Sequence, residues 1–244
     1  MKKILVLFTI SFLFFTVHSQ FEIGLESGLV FEGYNDVRIP NNPNAAEFDF
    51  SDDFELQGIV IPLRITLGYT FLDKNHLILL YAPLDVNYSA RIPFDINFQN
   101  TVFPGGQVID GYYKFNSYRL TYSRDLFTRP NWILRLGFTA KIRDARVRLS
   151  TENQSAKKDD LGFVPLLRIY TSYNFNHWKI FLEGDGLAGG PGRAFDFILG
   201  SRYYLSDHFS VKAGYRILEG GADVDEVYNF ALFHFAAVGV GYEF

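Results

Sequence analysis

From Gln20 onward the chain alternates apolar and polar residues with a period of two, and this pattern constrains the fold more than any other feature. Between Leu134 and Arg143 every even-numbered residue is apolar, whereas the odd-numbered residues are basic, Gly or Thr. A period of two is typical of a β-strand whose two faces meet different surroundings. Ten such segments follow one another to Phe244, so we predict an all-β chain.

The links between the ten segments differ systematically in length. The short links are 73–75, 125–131, 174–177 and 206–208. The longer links are 34–53, 91–107, 151–161 and 219–226, and a brief Gly-rich link at 188–193 breaks the trend. Short turns on one side and longer loops on the other are typical of a transmembrane antiparallel up-and-down β-barrel. A soluble β-sandwich is the alternative, but it does not explain why one face of every strand carries Gly and long charged residues.

The composition excludes several other classes of protein. No apolar run after Val17 approaches the ~20 residues that a membrane-spanning helix requires, which excludes a helical membrane protein. The chain has no cysteine, so it forms neither disulfides nor thiolate metal sites. A formal net charge of −4 gives no basis for binding nucleic acid. No residue pattern indicates a metal site or another cofactor.

The first residues have the pattern of a secretory signal. Lys2 and Lys3 precede an apolar stretch that ends at Val17, and Ser19 then provides a small residue for cleavage. We therefore predict that residues 1–19 are a cleaved signal peptide and that residues 20–244 form one barrel domain. A membrane anchor is the alternative, but the stretch is short for a full span.

Outward-facing aromatic residues flank the predicted short turns. Rings with a polar edge favour the level at which hydrocarbon meets the lipid head groups. We therefore predict one aromatic girdle, formed by Tyr69, Tyr122, Trp132, Tyr173, Trp178, Tyr203, Phe209 and Tyr242.

The last segment carries the most specific pattern. Its outward positions are Tyr228, Phe230, Leu232, Ala236, Val238, Val240, Tyr242 and Phe244, so an aromatic residue is the C-terminus. With this ending, the mature chain resembles the small outer-membrane β-barrel proteins of Gram-negative bacteria. The resemblance implies location in the outer membrane and contact with its lipids and lipopolysaccharide. It also implies that Phe244 is the signal read by the barrel-insertion machinery. No motif identifies a particular member.

Charged residues occupy the face that the barrel turns inward. A barrel of about ten strands is only slightly wider than one that side chains fill completely, and an unpaired interior charge costs several kcal/mol, on the order of the effective desolvation penalty. We therefore predict ion pairs that plug the lumen, with a narrow path for small solutes as the alternative. The predicted lumen residues are Glu22, Glu26, Arg64, Asp85, Arg119, Arg135, Lys141, Arg143, Arg168, Lys179, Glu183, Asp185, Asp196, Arg202, Lys212, Arg216 and Glu243.

One strand interrupts the alternation. After Asp144 the apolar residues Ala145, Val147 and Leu149 occupy the parity that was charged before it. We predict a β-bulge near Asp144, which would return these residues to the apolar outer face.

The histidines decide whether the barrel resembles an enzyme. His76, His177 and His208 lie at short turns, and His234 points outward on the last strand. Omptin proteases combine an Asp pair with an Asp–His pair at the outer rim. Here 52–53 and 159–160 offer Asp pairs without a matching histidine. We predict no enzyme, with a lipid hydrolase built on His234 as the remaining enzymatic alternative.

These patterns favour a non-enzymatic integral outer-membrane barrel with a structural or interaction role. An accessory subunit of an envelope assembly is one form of this role, and other envelope proteins are then its partners. The first long link carries Phe48, Phe50 and Phe54 beside several Pro and Asn residues. We interpret it either as a surface that binds a partner or as plain surface decoration.

Overall fold

Residues 20–244 are described by the structure, a computed structural model. The predicted signal peptide, residues 1–19, lies outside them. The described residues form one short helix, α1 (Phe50–Asp53), and these strands: β1 (Gln20–Arg38), β2 (Phe48–Asp49), β3 (Glu55–Leu56), β4 (Arg64–Phe71), β5 (Asn75–Ala82), β6 (Asp85–Arg91), β7 (Ile96–Phe98), β8 (Thr101–Phe103), β9 (Val108–Thr128), β10 (Trp132–Ser150), β11 (Ser155–Phe175), β12 (Trp178–Gly189), β13 (Gly192–Tyr204), β14 (Phe209–Val224) and β15 (Val227–Glu243).

The large sheet closes on itself into an antiparallel barrel. β1 pairs with β15 from Glu22 opposite Glu243 to Arg38 opposite Tyr228, which joins the first strand to the last. β5 and β6 pair with β9 in one continuous register, so they are two parts of a single barrel strand interrupted at 83–84. Counted in this way, the barrel has ten strands, and the predicted fold class is confirmed.

The short links lie at one end of the barrel, here called the inner end, and the predicted long links lie at the outer end. Only two of the outer links are long: 39–63 contains β2, α1 and β3, and 92–107 contains the β7–β8 hairpin. The other three outer links are tight turns at 151–154, 190–191 and 225–226. The sequence analysis placed the outer ends of these strands too early. In the outer parts of the strands the side chains no longer alternate between apolar and charged residues.

The outer wall of the barrel is apolar and exposed. Phe138 and Phe163 are each 68% exposed in the isolated chain. Exposing such rings costs a large free energy in water and none in hydrocarbon. The predicted girdle residues face outward on the inner halves of their strands, and Trp178 and Tyr203 are direct cross-strand partners with ring centroids 4.9 Å apart. This wall is suited to lipid.

No helix in the described part of the chain is long and apolar enough to cross a membrane.

The predicted bulge near Asp144 is wrong. β10 pairs with β11 in one unbroken register from Trp132 to Ser150, and its only shift against β9 lies between Leu134 and Arg135. Val147 and Leu149 therefore keep the inward parity of Arg143, and both are buried. The alternation did not slip; the interior itself changes from charged to apolar toward the outer end.

The apolar outer half of the interior is filled by the two long links, here called the cap (39–63 and 92–107). The rings of Phe48, Phe50, Phe98 and Phe103 are buried in it, against inward-facing residues of β6, β9, β10 and β15. Phe50 stacks on Tyr88 with ring centroids 4.5 Å apart. The cap thus closes the outer mouth of the barrel.

One glycine makes room for the cap. A Cβ at Gly111 of β9 would lie 2.3 Å from Cε1 of Phe50, so only glycine lets the ring reach the wall. Phe48, Phe50 and Phe54 are all buried, so these rings are not available to a partner. The aromatic residues of the first long link are therefore core, and binding of a partner by the rest of this link stays a prediction.

Candidate functional site

The inner half of the lumen is filled by an ion network centred on Arg216 of β14. Its guanidinium donates to both carboxylate oxygens of Glu26, at 2.8 and 3.0 Å, and to Oδ1 of Asp196 at 2.5 Å. Lys212 adds a contact of 2.6 Å from Nζ to Glu26, and Arg64 lies 3.0 Å from Asp196. Two acids are thus shared among three cations, two from β14 and one from β4.

The network continues across the lumen through Arg119 of β9. Its two terminal nitrogens lie 2.9 Å from Asp185 and 2.7 Å from Asp196. Arg168 then lies 2.9 Å from Glu183 and 3.5 Å from Asp185. Because Arg119, Asp185 and Asp196 are all nearly fully buried, these charges depend on one another and not on water.

A second group of ion pairs lies at the inner end. Arg202 contacts Glu22 at 2.8 Å and Glu243 at 3.7 Å. Arg135 lies 2.7 Å from Asp125, whose carboxylate also lies 3.2 Å from Nε2 of His76. Sequence reasoning missed Asp125 and His76 because it assigned both to a short turn.

Lys179, which was also predicted to face the lumen, donates to the Tyr204 hydroxyl at 2.5 Å.

Asp85 does not belong to the lumen. It lies on the exposed face of β6 and accepts a hydrogen bond from Tyr112 Oη at 2.5 Å, while its neighbours Val86 and Tyr88 point inward. The prediction assumed that every charged strand residue faces inward. That assumption fails in the outer parts of the strands, where the outside is water and the inside is the cap.

Arg143 and Lys141 lie above the network, on β10. Arg143 pairs with Asp160 of β11. Lys141 is only 2% exposed, yet it takes part in no ion pair or side-chain hydrogen bond among residues 20–244. Its Nζ lies 4.5 Å from the centroid of the Phe115 ring, a cation–π contact that compensates only part of the burial of the charge.

A cavity of about 640 Å³ opens beside Lys141. Its apolar lining comes from β9, β11, β12, β13, β14 and β15, with Phe115, Leu161, Phe163, Val164, Pro165, Leu187, Ala194, Val224 and Val227 as the main side chains. Its charged lining consists of Lys141, Arg143, Lys158, Asp159, Asp160, Arg193 and Glu226.

The cavity opens through the side of the barrel, because two strands separate there. β11 pairs with β10 from Ser155 to Tyr173, but it pairs with β12 only from Leu167 to Phe175. The last β12 residues, 187–189, pair with β13 alone. Above the pair of Leu167 and Gly186 the seam is open, and we name this opening the window.

The window has a defined frame. The β12–β13 hairpin is its lower edge, the free edge of β11 is one side, and the end of the β14–β15 hairpin is the other. At the top, Lys158 Nζ lies 2.7 Å from Glu226 Oε2 and bridges β11 to the β14–β15 turn. This hydrogen bond from Lys158 lowers the pKa of the Glu226 carboxyl below its usual value.

The remaining candidate residues are engaged elsewhere. Outside the lumen, His234 Nδ1 lies 2.5 Å from the Tyr215 hydroxyl on the lipid-facing wall. At the outer rim, Asp159 pairs with Arg146 and Lys157. Asp53 accepts a hydrogen bond from the backbone of Asp49.

The rim carboxylates and the histidines do not meet. His76 contacts Thr70 and Asp125 at the inner end, and His208 contacts a carbonyl there. Within residues 20–244, no group of three or more His, Asp or Glu side chains is placed to hold a metal ion.

The comparisons with known proteins agree with this geometry at the level of the fold. No family model and no curated protein matches the chain. Among solved structures, the outer-membrane protease OmpT of Escherichia coli aligns over 92% of this chain and 97% of its own, with a TM-score of 0.56 and 10% sequence identity. The fold is that of a small outer-membrane β-barrel.

Two other barrels also align along most of the chain. Ail of Yersinia pestis, in complex with the heparin analogue sucrose octasulfate, covers 92% of this chain and 99% of its own, with a TM-score of 0.41 and 12% identity. Neisserial surface protein A covers 92% and 97%, with a TM-score of 0.39 and 13% identity. At these identities the likeness concerns the fold alone. With its apolar wall, this barrel is a protein of the Gram-negative outer membrane.

Proposed function

We propose that the protein is a non-enzymatic outer-membrane barrel with a structural or interaction role, serving as an accessory subunit of an envelope assembly. The observation that supports this proposal is that the interior of the barrel is filled at both ends. The ion network around Arg216 occupies the inner half of the lumen, and the cap around Phe50 occupies the outer mouth. With both ends filled, the barrel acts on its surroundings through its wall, its cap and its window.

The alternative of a narrow solute channel requires water among the network side chains. Arg119, Arg168 and Arg216 are each at most 8% exposed, and their carboxylate partners Asp185 and Asp196 are 3% exposed. A solute that passed would separate several buried ion pairs at once, each of which is costly to break. The burial therefore supports a closed lumen.

Conductance across planar lipid bilayers tests the closed lumen. We expect the purified barrel to give no steady current. In a barrel whose cap links 39–63 and 92–107 are replaced by short turns, the double variant Glu26→Ala/Arg216→Ala removes the central pair, opens both halves of the lumen and is expected to conduct. The matched control Lys158→Ala/Glu226→Ala removes an ion pair of the outer rim and is expected to stay silent. A steady ohmic current through the unaltered barrel would refute the proposal.

The accessory role is tested by purification from membranes. The tagged full chain, extracted in mild detergent after cross-linking, is expected to carry an envelope protein at a fixed ratio. A second variant with the cap loop 39–63 replaced by a short turn is expected to lose a partner that binds the cap. If the barrel purifies alone under cross-linking, the subunit role is wrong.

A lipid hydrolase is the second candidate, because His234 lies on the lipid-facing wall with Tyr215 as its hydrogen-bond partner. A base needs a nucleophile or a water beside it, and the side-chain hydrogen bonds of His234 among residues 20–244 reach Tyr215 alone. We expect His234→Ala cells to keep the outer-membrane lipid composition of the parent strain. A changed acyl pattern in their lipids would favour the hydrolase.

A further inference from the structure

We propose that the window is a binding site for a single-chain amphiphile with one negative charge, of the fatty-acid class, which enters from the outer leaflet and places its carboxylate on Lys141. This inference builds on the proposed closed barrel. It names a ligand class for the cavity beside Lys141, which neither the ion network nor the cap fills.

The charge of the ligand follows from the pairing of the lining residues. Arg143 has Asp160, Lys158 has Glu226 and Arg193 has Glu219 at 2.7 Å. Lys141 alone among the lining cations has no acidic partner within residues 20–244. A buried cation without a partner is unstable relative to a paired one. One carboxylate supplies the missing charge, whereas a dianion would leave an excess negative charge.

The apolar part of the ligand follows from the rest of the lining. Leu161 and Phe163 are strongly exposed beside the window, and Val164, Leu187 and Val227 continue the apolar surface inward. A cavity of about 640 Å³ falls within the usual range for a site that holds one small organic molecule. It has room for one acyl chain and not for a two-chain lipid.

The height of the window fits entry from the membrane. Val164 is the register partner of Lys141, and Tyr173 of the same strand is a girdle position. At ~3.3 Å per residue and a strand tilt near ~40°, Val164 stands roughly 20–25 Å above the inner girdle. That is the outer boundary of the hydrocarbon band, where the head group and the chain of an amphiphile separate.

The axial route to Lys141 is closed, so the side route is the one that remains. The cap covers the outer mouth and the network around Arg216 covers the inner half. The free edge of β11 begins next to Pro165, which has no N–H to offer a neighbouring strand. The sequence therefore maintains the gap, since a fully paired β11–β12 seam would require a donor at that position.

The test measures the binding of palmitate labelled with ¹³C at its carboxyl carbon, at pH 8, to the barrel in phosphatidylcholine nanodiscs. We expect a second carboxyl NMR signal from bound palmitate, distinct from the signal of palmitate in the bilayer. Lys141→Met is expected to weaken this binding roughly 10- to 100-fold, as expected for the loss of a charged hydrogen bond.

Two further variants distinguish the contribution of the Lys141 charge from that of the open window. Gly189 lines the cavity, and a Cβ added there meets no heavy atom within 4 Å. Gly189→Phe is therefore expected to fold and to block the site while Lys141 stays intact. Lys74→Met changes an exposed lysine of the β4–β5 turn and is expected to leave the bound signal unchanged. Heat-modified migration on gels reports the folding of each variant.

Competition completes the experiment. Hexadecanol, which lacks the charge, hexanoate, which lacks the chain, and dipalmitoylphosphatidylglycerol, which has two chains, are each expected to displace palmitate poorly. The inference is wrong if the unaltered barrel shows only the bilayer signal, if Lys141→Met retains the bound signal, or if the two-chain lipid competes equally. These results are independent of the conductance test, so either proposal can fail without the other.

Discussion

Arg119 and Lys141 lie opposite each other in the β9–β10 register, and both point into the barrel. Arg119 contacts two carboxylates, whereas Lys141 contacts only the face of Phe115. This cross-strand pair marks the boundary between two regions of the interior. Below it the lumen is filled mainly by paired charges, and above it the cap fills the barrel with aromatic rings.

The comparison of these two regions shows that a narrow barrel can be filled in two ways. In the inner half, long side chains from opposite walls reach one another and need no additional chain. In the outer half the inward residues are apolar, and the two long links fold back to cover them. The window lies between these two regions, next to Lys141, which forms no ion pair within residues 20–244.

The largest effect is expected from breaking the centre of the ion network. Arg216→Met leaves Glu26 and Asp196 short of a cation in a buried site, which costs about 3–5 kcal/mol. Urea unfolding in phosphatidylcholine vesicles, followed by tryptophan fluorescence, measures it. Arg129→Met, in the exposed β9–β10 turn, is the control and is expected to change nothing. Equal unfolding curves for the two variants would show that the network does not stabilise the inner half.

The next effect is expected in the cap. Phe50→Ala removes a fully buried ring and costs about 3 kcal/mol. Because the barrel strands are paired independently of the cap, this loss is expected to appear as local opening of 39–63. Limited proteolysis is expected to cut this link at an earlier time point than in the parent protein, with the gel migration of the barrel unchanged. Unfolding of the whole barrel instead would show that the two halves are one cooperative unit.

The boundary pair provides a sharper comparison. Arg119→Met is expected to destabilise the barrel by about 3 kcal/mol, since it leaves buried carboxylates without their partner. Lys141→Met removes an unpaired buried charge and keeps the length of the side chain, so its unfolding free energy is expected to be equal or higher. The same urea titration measures both. If Lys141→Met is as destabilising as Arg119→Met, Lys141 has a partner in the membrane-embedded protein.

The smallest effect is expected at the top of the window. Lys158 lowers the pKa of Glu226, so the bridge contributes above the ordinary pKa of a glutamate and is lost as the pH falls through the lowered value. Glu226→Gln is expected to reproduce this loss at neutral pH without a measurable change in global stability. Hydrogen exchange of the β11 edge near Lys158 measures both, and slower exchange in Glu226→Gln would contradict the role of the bridge.

The alternation of single strands was sufficient to predict which face of most strands meets lipid. Between Leu134 and Arg143 each side chain faces as its parity predicts, and the same holds for the outward girdle residues. Parity identifies two faces but not the medium that each face meets. For that reason Asp85 was placed inside, and Val147 and Leu149 were moved outside by a bulge that does not exist.

Two features of the sequence coincide with the window, but neither had an interpretation at the level of the sequence. The Gly-rich link at 188–193 is short at an end where long links were expected, and Pro165 lies within a strand pattern. Either signal alone is compatible with an ordinary barrel. Only the register shows that β11 loses its neighbour β12 above Leu167, because pairing depends on the relative heights of strands that are distant in sequence.

By itself, the sequence determined a ten-stranded barrel with an apolar wall and charged residues turned inward, because the period of two is local and each strand carries it independently. The tertiary structure alone decided which charges pair, that the long links are core and not loops, and that one seam stays open beside Lys141. Those outcomes depend on distances across the lumen and on strand heights, and neither quantity is recorded in the order of residues along one strand.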